Sequence, residues 1–124
     1  MSGIYIHIPF CRQACNYCNF HFATSLSKKE AMLVAINKEI VLTAEDGKWL
    51  VNTIYFGGGT PSLMEVEEIA TILNTIQSVY KVDGGAEITL EANPDDLTEE
   101  KLKGWRAAGI NRLSIGVQSF LKKT

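Results

Sequence analysis

Val51-Asn52-Thr53-Ile54-Tyr55-Phe56-Gly57-Gly58-Gly59 is an apolar, β-branched run cut off by three glycines, the pattern of a strand that ends abruptly. A capping-box spacing follows at Ser62 and Glu65. Ile69, Ile72, Leu73, Ile76 and Val79 then recur at helical intervals, so the strand leads into an amphipathic helix whose end Asp83-Gly84-Gly85 punctuates. Upstream, Ile4, Ile6 and Ile8 alternate with Tyr5, His7 and Pro9, which predicts a first strand stopping at the proline. Ser27 and Glu30 carry the same capping-box spacing, and Met32, Leu33, Ile36, Ile40 and Val41 predict a first helix reaching residue 44, before a turn at Asp46-Gly47. Downstream, residues 87–91 read as a third strand, Thr98 caps a third helix that Gly109 ends, and residues 112–117 read as a fourth strand.

The order is βαβαβαβ, which implies parallel strands joined by right-handed crossovers, as in a doubly wound fold or a β/α barrel. A complete barrel usually needs about 250 residues. Residues 1–124 are therefore expected to be the N-terminal portion of one barrel domain, ending where a further helix is due. Such a partial barrel exposes strand edges, so an inert, aggregation-prone fragment is one reading to keep.

With 46% hydrophobic and 21% charged residues the chain has the apolar mass for one core. Twelve basic against fourteen acidic residues leave a net charge of −2 with no run of either sign, which gives no footprint for nucleic acid or an anionic membrane. No stretch approaches the roughly eighteen apolar residues of a membrane span, and the first residues lack a basic leader, so a cytoplasmic location is expected. The chain's three cysteines lie within eight residues, which argues against a disulfide framework and for a metal in a reducing compartment.

Cys11, Cys15 and Cys18 have the spacing C-x3-C-x2-C and follow the first strand, at the end where β/α proteins build their sites. Thiolates are the ligands iron–sulfur clusters prefer, and three of them on a cubane leave one iron open to another ligand. Two other readings compete: a zinc site completed by His7 or His21, as in a zinc-binding structural module, and three ordinary buried thiols. Zinc sites usually draw on two separated pairs of ligands, and no second pair is present. The glycine triplet on its own reads as a turn, and Glu91 as either a ligand carboxylate or a solvated charge at a strand end. Tyr5 and His7 fall on one side of the first strand, turned toward a barrel interior. The free amides of the second helix's first turn are placed to favour a ligand carboxylate.

The segments Tyr5-Ile6-His7-Ile8-Pro9-Phe10-Cys11, Cys15-Asn16-Tyr17-Cys18, Gly57-Gly58-Gly59-Thr60-Pro61-Ser62, Glu87-Ile88-Thr89-Leu90-Glu91-Ala92-Asn93-Pro94 and Asn111-Arg112-Leu113-Ser114-Ile115-Gly116-Val117-Gln118-Ser119-Phe120 together resemble the radical-SAM superfamily. The likeness is to its heme-metabolism branch of heme chaperones and oxygen-independent coproporphyrinogen III oxidases, and covers nearly the whole chain. It implies a partial radical-SAM (β/α) barrel in which Cys11, Cys15 and Cys18 hold a [4Fe-4S] cluster and the open iron takes S-adenosyl-L-methionine. By the same resemblance Tyr5, Gly58, Gly59, Thr60 and Gln118 contact that cofactor, Glu91 accepts hydrogen bonds from its ribose, and Tyr17 packs on its adenine. No residue is assigned a catalytic role. The oxidase-type motif has a further cysteine two residues after the third, where this chain has Phe20, so the resemblance implies a heme chaperone that binds heme and hands it to an acceptor protein. Asn19 stands where chaperones often have aspartate. The alternative is an enzyme that oxidatively decarboxylates coproporphyrinogen III. Either implies a heme or porphyrin ligand and an electron donor.

Overall fold

A computed structural model describes residues 2–8, 22–44, 50–59 and 61–115 of the chain. Four strands, β1 (Ser2–Ile8), β2 (Leu50–Gly58), β3 (Lys81–Ala92) and β4 (Arg112–Ile115), alternate with three helices, α1 (Phe22–Thr43), α2 (Val66–Val79) and α3 (Glu99–Ala108). Short 3₁₀ turns at Pro61–Leu63 and Pro94–Asp96 follow β2 and β3. The sheet order is β1-β2-β3-β4 and each neighbouring pair is parallel. A doubly wound sheet must reverse its direction of growth near the first strand, whereas a barrel adds strands in chain order. The sequential order therefore selects the barrel pattern from the two that the sequence leaves open.

Alternation along the strands sorts the side chains onto two faces. Ile6 and Ile8 of β1, Ile54 and Phe56 of β2, and Ile88 and Leu90 of β3 are buried in one cluster with Ile40 of α1, Ile69, Ile72, Leu73 and Ile76 of α2, and Trp105 of α3. All three helices thus cover the same face. Registers Tyr5↔Tyr55, Thr53↔Glu87, Tyr55↔Thr89 and Glu91↔Ser114 put the other set of side chains on the opposite, polar face.

Several element ends differ from the sequence expectation. Helix α1 begins at Phe22, so Ser27 and Glu30 lie inside it instead of forming its cap. Val41 sits one residue, and therefore about 100°, past the buried Ile40 and is 51% exposed, off the core stripe. The box that starts α2 is formed by Glu65 and Glu68, not Ser62 and Glu65: the Glu65 amide donates to Glu68 Oε1 at 2.7 Å while the Glu65 side chain accepts from the Glu68 amide. Asp83-Gly84-Gly85 lies within β3, because Lys81 and Val82 already pair with Leu50 and Val51 before the register jumps to Thr53↔Glu87. The extra residues of β3 bulge from the ladder, and a Cβ on Gly84 would meet nothing within 4 Å. Two ends agree: Thr98 Oγ1 accepts from the Lys101 amide at 3.1 Å, and Gly109, with φ 124°, closes α3.

Candidate functional site

The polar face reaches the C-terminal ends of the parallel strands, where four neighbouring strands each bring one side chain into a single row. The Tyr5 ring of β1 stacks on the Tyr55 ring of β2 with centroids 5.9 Å apart and planes 17° from parallel. The Tyr55 hydroxyl donates to Glu91 Oε2 of β3 at 2.8 Å, and Ser114 of β4 hydrogen-bonds the same phenol. The backbone amide of Gly58 donates to the other carboxylate oxygen, Glu91 Oε1, at 3.2 Å. An ionised carboxylate offers about four lone-pair positions, so with one donor on each oxygen it keeps acceptor capacity while its plane is fixed. The Ser114 hydrogen bond pulls the Tyr55 pKa down. The Glu91 hydrogen bond, desolvation and the charges of Glu91 and Tyr5 outweigh it and raise the pKa above its ordinary value, so the phenol stays a neutral donor at neutral pH.

The glycines are required by this crowding. A Cβ on Gly57 would stand 2.8 Å from Tyr5 Oη and 2.9 Å from Tyr55 Cε1, so the stacked rings occupy the space a side chain needs. Gly58 has φ 111°, and its Cβ would lie 2.7 Å from the Ile8 carbonyl oxygen and 2.8 Å from His7 Nδ1. The Gly59 amide donates to that Ile8 carbonyl at 2.7 Å, which ties the glycine turn to the last residue of β1. His7 is exposed on the polar face, its Nδ1 3.4 Å from Tyr5 Oη.

Behind the turn a buried polar network anchors the chain. Ser62 Oγ donates to Asp96 Oδ2 at 2.8 Å and accepts from the Asn93 amide at 3.1 Å, while Lys101 Nζ donates to the Ser62 carbonyl at 3.1 Å. Ser62 and Asp96 are both buried, so each bond made here replaces water that has no access. Ser62→Ala is expected to cost about 1–3 kcal/mol of stability by taking the acceptor from the Asn93 amide and one hydrogen bond from Asp96. Urea denaturation of the variant measures it, and an unchanged midpoint would remove the anchoring role. The first turn of α2 holds Glu67 and Glu68 behind the Glu65 box, so its own carboxylates already compensate the positive end that the sequence offered to a ligand.

Of the residues singled out from the sequence, the structure brings together Tyr5, Gly58, Gly59 and Glu91. Cys11, Cys15, Cys18, Tyr17, Thr60 and Gln118 lie outside the described residues, as do Asn19, Phe20 and His21. Tyr55, Ser114, Ser62 and Asp96 join the site without having been singled out for it. A signal for Tyr55 existed: it stands two residues before Gly57, on the face that alternation assigns to the interior.

The model of the Radical SAM superfamily matches residues 5–124. The chain is 42% identical over 123 residues to the heme chaperone HemW of Bacillus subtilis (strain 168), an alignment covering 97% of this chain and 32% of that protein. It is 38% identical over 125 residues to an oxygen-independent coproporphyrinogen III oxidase of Bradyrhizobium diazoefficiens, covering 96% of this chain and 27% of the relative. Among solved structures, coproporphyrinogen III oxidase (HemN) from Escherichia coli, described as a radical SAM enzyme, superposes with a TM-score of 0.75 at 28% identity, over 93% of this chain and 27% of that one. The chain spans about a third of the length of the curated relatives it matches.

Proposed function

The chain belongs to the radical SAM superfamily, and from that premise we propose that it serves a heme chaperone: a protein that holds a [4Fe-4S] cluster and S-adenosyl-L-methionine, binds heme and passes it to an acceptor protein. The family implies the cluster and S-adenosylmethionine in general. Their assignment to particular residues, and heme itself, are part of the proposal. Cys11, Cys15 and Cys18 hold three irons of the cluster, leaving the fourth for the amino and carboxylate groups of S-adenosylmethionine. When bound, the pair supplies one-electron chemistry, from the reduced cluster to the sulfonium.

The residues at the strand ends fit an adenosyl group. Glu91 retains acceptor sites for ribose hydroxyls, and Tyr5, stacked on the Tyr55 that bonds this carboxylate, is 57% exposed. Tyr17 packs on the adenine, Gly58, Gly59 and Thr60 offer backbone and hydroxyl groups to the cofactor's polar edge, and Gln118 adds a further contact. A reducing, cytoplasmic setting and a separate electron donor complete the proposal. Among the described residues, no helix is long and apolar enough to cross a membrane.

The observation that carries the chaperone reading is Phe20, which occupies the place of the oxidase-type cysteine in a chain 42% identical to a heme chaperone. The likeness to an oxidase structure supports a second reading, oxidative decarboxylation of coproporphyrinogen III. Anaerobically reconstituted protein separates them. The expected result is a heme Soret band that moves to an added apo-hemoprotein, a reduced-cluster EPR signal that changes on adding S-adenosylmethionine, and no decarboxylated porphyrinogen by mass spectrometry. Steady decarboxylation would replace the chaperone by the oxidase. Colourless protein containing zinc would overturn both.

A further inference from the structure

Tyr55 has no assigned part in cofactor binding, yet its hydroxyl is one of two donors that orient Glu91. It bonds Oε2 at 2.8 Å while the Gly58 amide bonds Oε1 at 3.2 Å. Both donors come from β2, so the carboxylate of β3 is aligned to the neighbouring strand and not left to rotate about its own side chain. The Tyr55 ring is itself held, stacked on Tyr5 at 5.9 Å and lying against Gly57, where an added Cβ would stand 2.9 Å from Tyr55 Cε1. A carboxylate so constrained presents its free lone pairs in one direction, which lowers the ordering cost of receiving a pair of hydroxyls.

We propose that Tyr55 is a positioning residue for the adenosyl site, fixing the Glu91 carboxylate in the orientation that accepts the ribose hydroxyls of S-adenosylmethionine. The inference rests on the reading of Glu91 as the ribose acceptor. It concerns the hydroxyl alone, because phenylalanine in the same place keeps the ring and its stacking on Tyr5. A role in packing and a role in positioning therefore separate experimentally.

The test is calorimetric titration of cluster-loaded protein with S-adenosylhomocysteine, which carries the same ribose and undergoes no chemistry, so binding is read without turnover. Tyr55→Phe is expected to weaken binding about tenfold, the order of one hydrogen bond to a charged group, with iron content and melting temperature unchanged. Glu91→Ala weakens binding as well, and adding Tyr55→Phe to it produces less than about a twofold further loss, because the hydroxyl then has no carboxylate to orient. With the 2′,3′-dideoxy form of the ligand, wild type and Tyr55→Phe bind alike.

Wild-type affinity in Tyr55→Phe overturns the inference. So does a Tyr55→Phe penalty that survives in full in the Glu91→Ala background, which would assign the effect to packing. A different result, full-strength binding by Glu91→Ala itself, would remove the ribose reading of Glu91 and the inference with it. The two failures thus show up in different variants.

Discussion

Cys15→Ser is expected to leave the protein with almost no bound iron and no reduced-cluster EPR signal, while its far-ultraviolet circular dichroism is unchanged. The chain contains three cysteines, so when one thiolate is lost no other can take its corner. Serine is nearly the same size as cysteine but its hydroxyl is a poor ligand for iron in a sulfide cube at neutral pH, which makes the loss one of coordination and not of shape. The core is built elsewhere, from Phe56, Ile72, Leu73 and Trp105 and their neighbours, and gives no reason for the sheet to come apart. Iron and sulfide determination on anaerobically purified variant decides the matter. A full iron complement in Cys15→Ser would sink the assignment of the cysteines.

The second large effect is expected at Gly58. Alanine there must take φ 111° and place its Cβ 2.7 Å from the Ile8 carbonyl oxygen, a backbone atom that cannot swing aside as a side chain would. The backbone strain alone is about 1–3 kcal/mol, and the collision adds to it. The melting temperature should fall on the order of 10 °C, and S-adenosylhomocysteine binding should be lost, since the Glu91 contact to the Gly58 amide and the Gly59 contact to Ile8 both pass through this point. Gly84→Ala is the matched control, with nothing within 4 Å of the added methyl. Equal melting temperatures for the two variants would contradict this account.

The order of elements was legible because each strand and helix carries its own period, and Thr98 and Gly109 mark α3 by local chemistry that needs no neighbour. Where a signal depends on a tertiary partner the sequence misleads. Ser62 has the spacing of a helix cap, but its hydroxyl is claimed by Asp96, thirty-four residues away, and Glu65 caps instead. Asp83-Gly84-Gly85 reads as the gap before a strand, yet pairing of Lys81 and Val82 with β2 makes it a bulge within one. The first helix reaches back to Phe22 past a plausible start at Ser27, since a capping pattern inside a helix costs little when the preceding turn continues it. At the candidate site, Tyr5, Gly58, Gly59 and Glu91 were singled out through motif likeness and lie together in the fold, whereas the bond that links Tyr55 to Glu91 joins two strands and is displayed by no single stretch of chain.

The short bond from the Gly59 amide to the Ile8 carbonyl extends the ladder between β1 and β2 to the last residue of β1, three positions before Cys11. A displacement of the glycine turn is therefore handed to the end of the first strand over a single peptide contact, so the two strand ends move as one rim.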